Sequence, residues 1–289
     1  MRLAIIALVA CKSNPPNNDP PPPATGSGAV TCEQQPFAGS TPVPEASGAA
    51  WIDGKLVVIS DSGNHGAYGI VDPDTGDTIE QGQLPIADST DDFEGLASRG
   101  NLLYGLTSPG WILVWRRVDH GFELVDGPYA LGPVDLPNTH GVGDKPPKGD
   151  GMVCDKRGTN CGRNYEGLCL APQPTGDCTG YALSKADGHL YCLTGEHLTV
   201  HHDRAIAVDR PGVAADCAYS PDGTLWAADN LFGLSQVFQI EGDRAVPFAQ
   251  IGEGFPEVIA VRGDLIYRMS DTGGSPSLMA KFRCTRAAR

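Results

Sequence analysis

The chain has 289 residues, 40% of them hydrophobic, enough for one large repeat domain or two small ones. A formal charge of −14 argues against a nucleic-acid partner, because phosphate binding needs a basic surface, yet it supplies the carboxylates that a hard cation requires. With 37 glycines, 24 prolines and no long helical periodicity, the composition points to strands and turns rather than a helical bundle.

In chain order, Met1-Arg2 gives a positive start and Leu3 to Val9 an apolar run too short to span hydrocarbon, so residues 1–10 read as a secretory signal peptide. The ending Leu8-Val9-Ala10-Cys11 resembles a bacterial lipobox, which makes Cys11 the acylated first residue of a membrane-anchored lipoprotein. Lys12 stands where inner-membrane lipoproteins carry Asp, so the expected location is the outer membrane of a bacterial cell envelope. Residues 11–31 form a tether: Asn14 to Asp19 and Pro20 to Pro23 cannot build a core, and the prolines keep the segment extended. The folded domain is then 32–289.

Of nine cysteines, Cys11 aside, eight remain: Cys32, Cys154, Cys161, Cys169, Cys178, Cys192, Cys217 and Cys284. An even set in an exported chain reads as disulfides, and the absence of any CxxC pair argues against zinc.

Five segments repeat one pattern: an acidic residue, small or apolar residues, a hairpin turn, an apolar strand, then Asp or Ser/Thr. The acids are Glu45, Glu94, Glu166, Asp216 and Glu257, separated by 49, 72, 50 and 41 residues. The turns between the two strands, Asp53-Gly54, Arg99-Gly100, Asp187-Gly188, Asp222-Gly223 and Arg262-Gly263, carry hairpin chemistry. Each copy continues into further strand-like runs, such as Ile112 to Val118 and Gln236 to Ile240. Four short antiparallel strands per 40–50 residues is the period of a propeller blade, so the fold expected is all-β, a single β-propeller of five blades. The long gap is assigned to an insertion from Pro133 to Arg163, with six blades as the alternative. The fifth copy lacks an outer strand, which Ala29 to Phe37 can supply. A Cys32–Cys284 disulfide would then close the ring.

In a propeller the innermost strands line one channel, so the five acids are expected to form a ring around it. Crowded carboxylates must protonate, accept donors or share a cation. Calcium, with its flexible shell of six to eight oxygens, suits such a ring better than magnesium. The bland reading is that each acid ties its blade to the next through backbone N–H groups.

Asp92-Phe93-Glu94-Gly95-Leu96-Ala97 and Tyr165-Glu166-Gly167-Leu168, with strand ends Ser60-Asp61 and Ala228-Asp229, resemble the SdiA-regulated propeller family and the esterase-like phytase propellers. The resemblance covers roughly residues 45 to 283 and implies that the Glu of the Glu-Gly motif lies by the channel with calcium. Glu94 and Glu166 are then implicated first, Glu45 and Glu257 next, and Asp216, where Cys217 replaces the glycine, last. Similarity to gluconolactonase-type propellers implies a metal that polarises substrate, with Asp61, His65, Arg163, Asp229 and Asn230 as polar candidates above it. The function expected is a calcium-binding module for an envelope ligand or partner. The alternative is a metal-dependent hydrolase acting on a small phosphoester or lactone. There is no G-x-S-x-G, H-E-x-x-H or phosphate loop.

Overall fold

A computed structural model describes residues 29–134, 152–174, 176–210, 212–231, 235–274 and 276–287. The chain opens with β1 (Val30–Gln35) and β2 (Ser40–Pro44), then lays down four consecutive four-stranded antiparallel sheets. Blade one is β3 (Ala46–Ile52), β4 (Lys55–Ser60), β5 (Ala67–Val71) and β6 (Thr78–Gln83). Blade two is β7 (Phe93–Arg99), β8 (Leu102–Thr107), β9 (Trp111–Arg117) and β10 (Phe122–Ala130). Blade three is β11 (Tyr165–Leu170), β12 (Gly180–Ser184), β13 (His189–Thr194) and β14 (Thr199–Ala207). Blade four is β15 (Val213–Tyr219), β16 (Leu225–Asn230), β17 (Gln236–Glu241) and β18 (Arg244–Gln250). Blade five is β19 (Phe255–Arg262), β20 (Leu265–Asp271) and β21 (Pro276–Arg286), with β1 as its outer strand.

The first strands of the blades pack on one another in a closed cycle: β3 on β7, β7 on β11, β11 on β15, β15 on β19, and β19 back on β3. This is a five-bladed propeller. The 72-residue gap holds no further sheet among the described residues, only a parallel bridge between Val134 and Val153. The hydrophobic clusters lie between neighbouring blades. One joins Leu106, Ile112 and Val114 of blade two to Leu168, Tyr191 and Leu193 of blade three, and another joins blades one and five. Each sheet therefore buries both faces, which explains why the inner strands are buried along almost their whole length.

β1 pairs with β21 in a register that sets Cys32 opposite Cys284, and those two are disulfide-bonded. The last-made blade is thus sewn shut by the first strand. Cys169–Cys217 joins the innermost strands of blades three and four, and Cys178–Cys192 lies within blade three. The expectation of bridges at all eight positions is corrected at Cys154 and Cys161. Both are buried in the inserted segment, and no sulfur–sulfur bond joins them. The signal peptide, Cys11 and most of the tether fall outside the described residues.

Candidate functional site at the channel mouth

In every blade the pairing of first and second strands skips one residue at the same place. The breaks fall between Ala46 and Gly48, Phe93 and Gly95, Tyr165 and Gly167, Ala214 and Asp216, and Pro256 and Val258. Each is a β-bulge, whose extra residue leaves the ladder and re-aims its side chain. The five bulge residues are Ser47, Glu94, Glu166, Ala215 and Glu257. The next residue lies against the neighbouring blade's backbone: a Cβ on Gly95 would sit 2.7 Å from the Gly167 carbonyl carbon, and one on Gly167 would sit 2.7 Å from the Cys217 nitrogen. The Glu-Gly motif therefore combines a bulge that frees a carboxylate with a glycine that lets two inner strands touch.

Facing the bulges, the second strands end in a second ring: Asp61, Ser108, Lys185, Asn230 and Asp271. Their positions follow from backbone bonds of Asp61 to Glu45, Ser108 to Asp92 and Lys185 to Asn164, and from the pairing of Asn230 with Val213 and Phe255 with Asp271.

On the side of blades one and two, Asp61, Asp92 and Glu94 each bring an oxygen within 4.8 Å of the others. An ion with oxygen bonds of about 2.4 Å spans such a group. Asp92 accepts the Ser108 hydroxyl and, at 3.3 Å, the Asn160 N–H, while Asp61 accepts the N–H of Ser62. Glu94 is 6% exposed, and among the described residues no donor hydrogen-bonds its carboxylate. Burial, then repulsion from Glu166, Asp61 and Asp92, pushes its pKa well above the usual carboxylate value. Burial lifts Asp61 to about 6, with Asp92 and Glu45 adding to the rise, and burial also raises Asp92.

On the side of blades three to five, the Lys185 Nζ lies 3.0 Å from both oxygens of Glu166. Burial pushes Glu166 up to about 8 despite this ammonium, and Glu257 to about 7. Burial opposes the charge on Lys185, but Glu166, Glu94 and Glu257 outweigh it and hold it protonated. The Asn230 Nδ2 donates to Glu257 at 3.4 Å, whereas the Asn230 Oδ1 is buried without a donor.

Three of the five expected ring acids, Glu94, Glu166 and Glu257, thus converge at one mouth. The other two are displaced. Glu45 precedes β3 with φ of 47° and accepts the Asn64 amide at 2.8 Å, so it stands beside the ring rather than in it, while Ser47 takes the bulge and donates to the Phe93 carbonyl of blade two. Asp216 occupies the place where Gly95 and Gly167 sit in their blades. Its two oxygens accept the Cys217 N–H at 2.7 Å and the Ile259 N–H of blade five at 3.0 Å. It is a tie between blades, as the bland reading had it. Asp61 and Asn230 do belong to the mouth. Asp229 instead accepts N–H groups of Gln236 and Gly212, Arg163 pairs with Asp187, and His65 is exposed. Asp92 and Lys185 were missed as site residues. The Asp-x-Glu spacing announces the first, but only strand register finds the second.

No protein-family model matches the chain, and no curated protein matches it. Solved structures do. Glutaminyl cyclase of Myxococcus xanthus is 12% identical with a TM-score of 0.53, the match covering 90% of this chain and all of that one. A calcium-binding protein, regucalcin of Agrobacterium tumefaciens, is 14% identical with a TM-score of 0.47, over 86% of this chain and 95% of that one. Virginiamycin B lyase of Staphylococcus aureus is 11% identical with a TM-score of 0.46, over 88% and 99%. At such identities the likeness is one of fold, the β-propeller.

Proposed function

We propose that this propeller binds a divalent cation, calcium by preference, at the mouth formed by Asp61, Asp92 and Glu94, and that it serves as a ligand- or partner-binding module. The observation that carries this reading is a buried, donorless Glu94 carboxylate with two more carboxylate oxygens inside bridging distance. Such a group is stable only when protonated or joined by a cation, and a divalent ion supplies the direct ligation that Lys185, paired with Glu166 and acting on Glu94 only through its charge, does not. The finer assignment to the SdiA-regulated and esterase-like phytase propellers belongs to the same proposal. So do the signal peptide at 1–10, acylation of Cys11, the 11–31 tether and placement at the outer membrane.

A metal-dependent hydrolase of phosphoesters or lactones is the second reading, favoured by the half-buried position of Asp61, which leaves one side of the triad open to a ligand. One experiment separates them: strip the full chain with chelator, restore calcium, and follow melting and turnover of generic phosphoester and lactone substrates. Calcium-dependent stability without turnover supports the binding module, and turnover restored by metal supports the enzyme. If chelation changes neither, the cation site is wrong.

A further inference from the structure

We infer that the mouth contains two cation subsites and that the Lys185 ammonium is the built-in occupant of the second. The inference rests on the cation reading of the Asp61–Asp92–Glu94 side.

The two rings divide the mouth unevenly. The bulge ring reads Ser47, Glu94, Glu166, Ala215, Glu257, and the strand-end ring reads Asp61, Ser108, Lys185, Asn230, Asp271. In the second ring four of five positions bear oxygen, and Lys185 is the single cation. It reaches Glu166 at 3.0 Å to both oxygens, and its charge acts on Glu94 and Glu257 as well. Its side chain is 29% exposed against 3% for Glu166, so it lies over the carboxylate from the solvent side.

What lies around the ammonium is more than a counter-ion needs. Glu166 Oε1, 3.0 Å from the ammonium, is held by the ion pair alone, and Asn230 Oδ1, in a residue 6% exposed, is a buried acceptor without a hydrogen bond. Asn230 is uncharged, holds Glu257 through its Nδ2, and leaves its carbonyl oxygen unused. An ammonium offers three directional N–H groups, whereas a metal ion gathers oxygens from all sides. Lys185 thus sits where three carboxylates converge, and the amide oxygen of the residue that holds one of them stays without a donor, the pattern of a metal-like oxygen set filled by a monovalent side chain. Lys185 keeps a second divalent ion out and spares the mouth the repulsion of two adjacent dications.

Calorimetric titration of the full chain with calcium tests this. One ion should bind to the wild type and to Lys185→Arg, and two to Lys185→Gln. Lys185→Met, which keeps the apolar stem in place, should also bind two and covers the case in which Lys185→Gln fails to fold. Adding Glu257→Gln to Lys185→Gln should return the count to one. A single ion in both neutral variants overturns the inference while leaving the first site standing, and two ions in the wild type overturn it equally. No ion in the wild type sinks the cation reading of the mouth itself, and this inference with it.

Discussion

Glu94 receives repulsion from Glu166, Asp61 and Asp92 while lacking any donor of its own among the described residues. Glu94→Gln should lower calcium affinity at least about tenfold, the effect seen even for partners one shell out from a metal. It should also raise the melting temperature of the chelated protein, because a buried like charge is gone. Glu45→Gln, held by Asn64 outside the ring, should leave affinity unchanged. Calorimetry of the two variants decides between them. The raised carboxyls also fix a pH dependence. The folded state holds protons on Glu166 up to about 8 and on Glu257 up to about 7, where an ordinary glutamate loses its proton at 4.5, and on Asp61 up to about 6 against 3.8. Between these limits the native chain binds more protons than the unfolded one, so stability falls as pH rises. Lys185 stays charged across this window and adds no slope. In chelator, the melting temperature should drop from pH 5 to pH 8.5, and saturating calcium should flatten the curve. A chelated protein that melts higher at pH 8.5 than at pH 5 would contradict this charge arrangement.

At the scale of the strand, bulge and glycine act as one device. Gly95→Ala drives a Cβ into the backbone of β11, a clash with no flexible side chain to yield, and should cost about 3 kcal/mol in denaturant unfolding. Asp216→Ala strands the Ile259 and Cys217 N–H groups and should cost about 2 kcal/mol, without altering calcium stoichiometry. Loss of an ion in that variant would return Asp216 to the site. This device also explains where the sequence was readable. Hairpin turns and apolar runs mark the blades, since they depend on local chemistry. The acids of blades two, three and five were found because Glu stands at the bulge. In blade one the equivalent pair is Ser47-Gly48, and the nearest acid, Glu45, lies two residues early. In blade four it is Ala215-Asp216, one residue late. A bulge adds a residue to one strand only, so spacing counted along the chain slips against the ladder, and the glycine was the better marker in blade one. Lys185 has no motif at all, and its place follows from which residue of β12 stands opposite Tyr165.

Over the whole molecule, closure is a single event: the first strand completes the last blade, and Cys32–Cys284 fixes it across 252 residues. Cys32→Ser with Cys284→Ser should cost up to about 5 kcal/mol in the chain-entropy model, read as a lower denaturant midpoint under non-reducing conditions. Unchanged stability would place the closure in β-pairing alone. The same bond has a mechanical side. Val30 pairs with Arg286, so both ends of the folded domain leave from one end of the same two-stranded seam, and the bond lies two rungs in. A pull applied between the ends opens those rungs and then meets a covalent clamp. Everything from Cys32 to Cys284 is shielded from load, and a force spectrometer would record almost no extension. After reduction the seam unzips rung by rung, releasing about 850 Å of contour from those 252 residues.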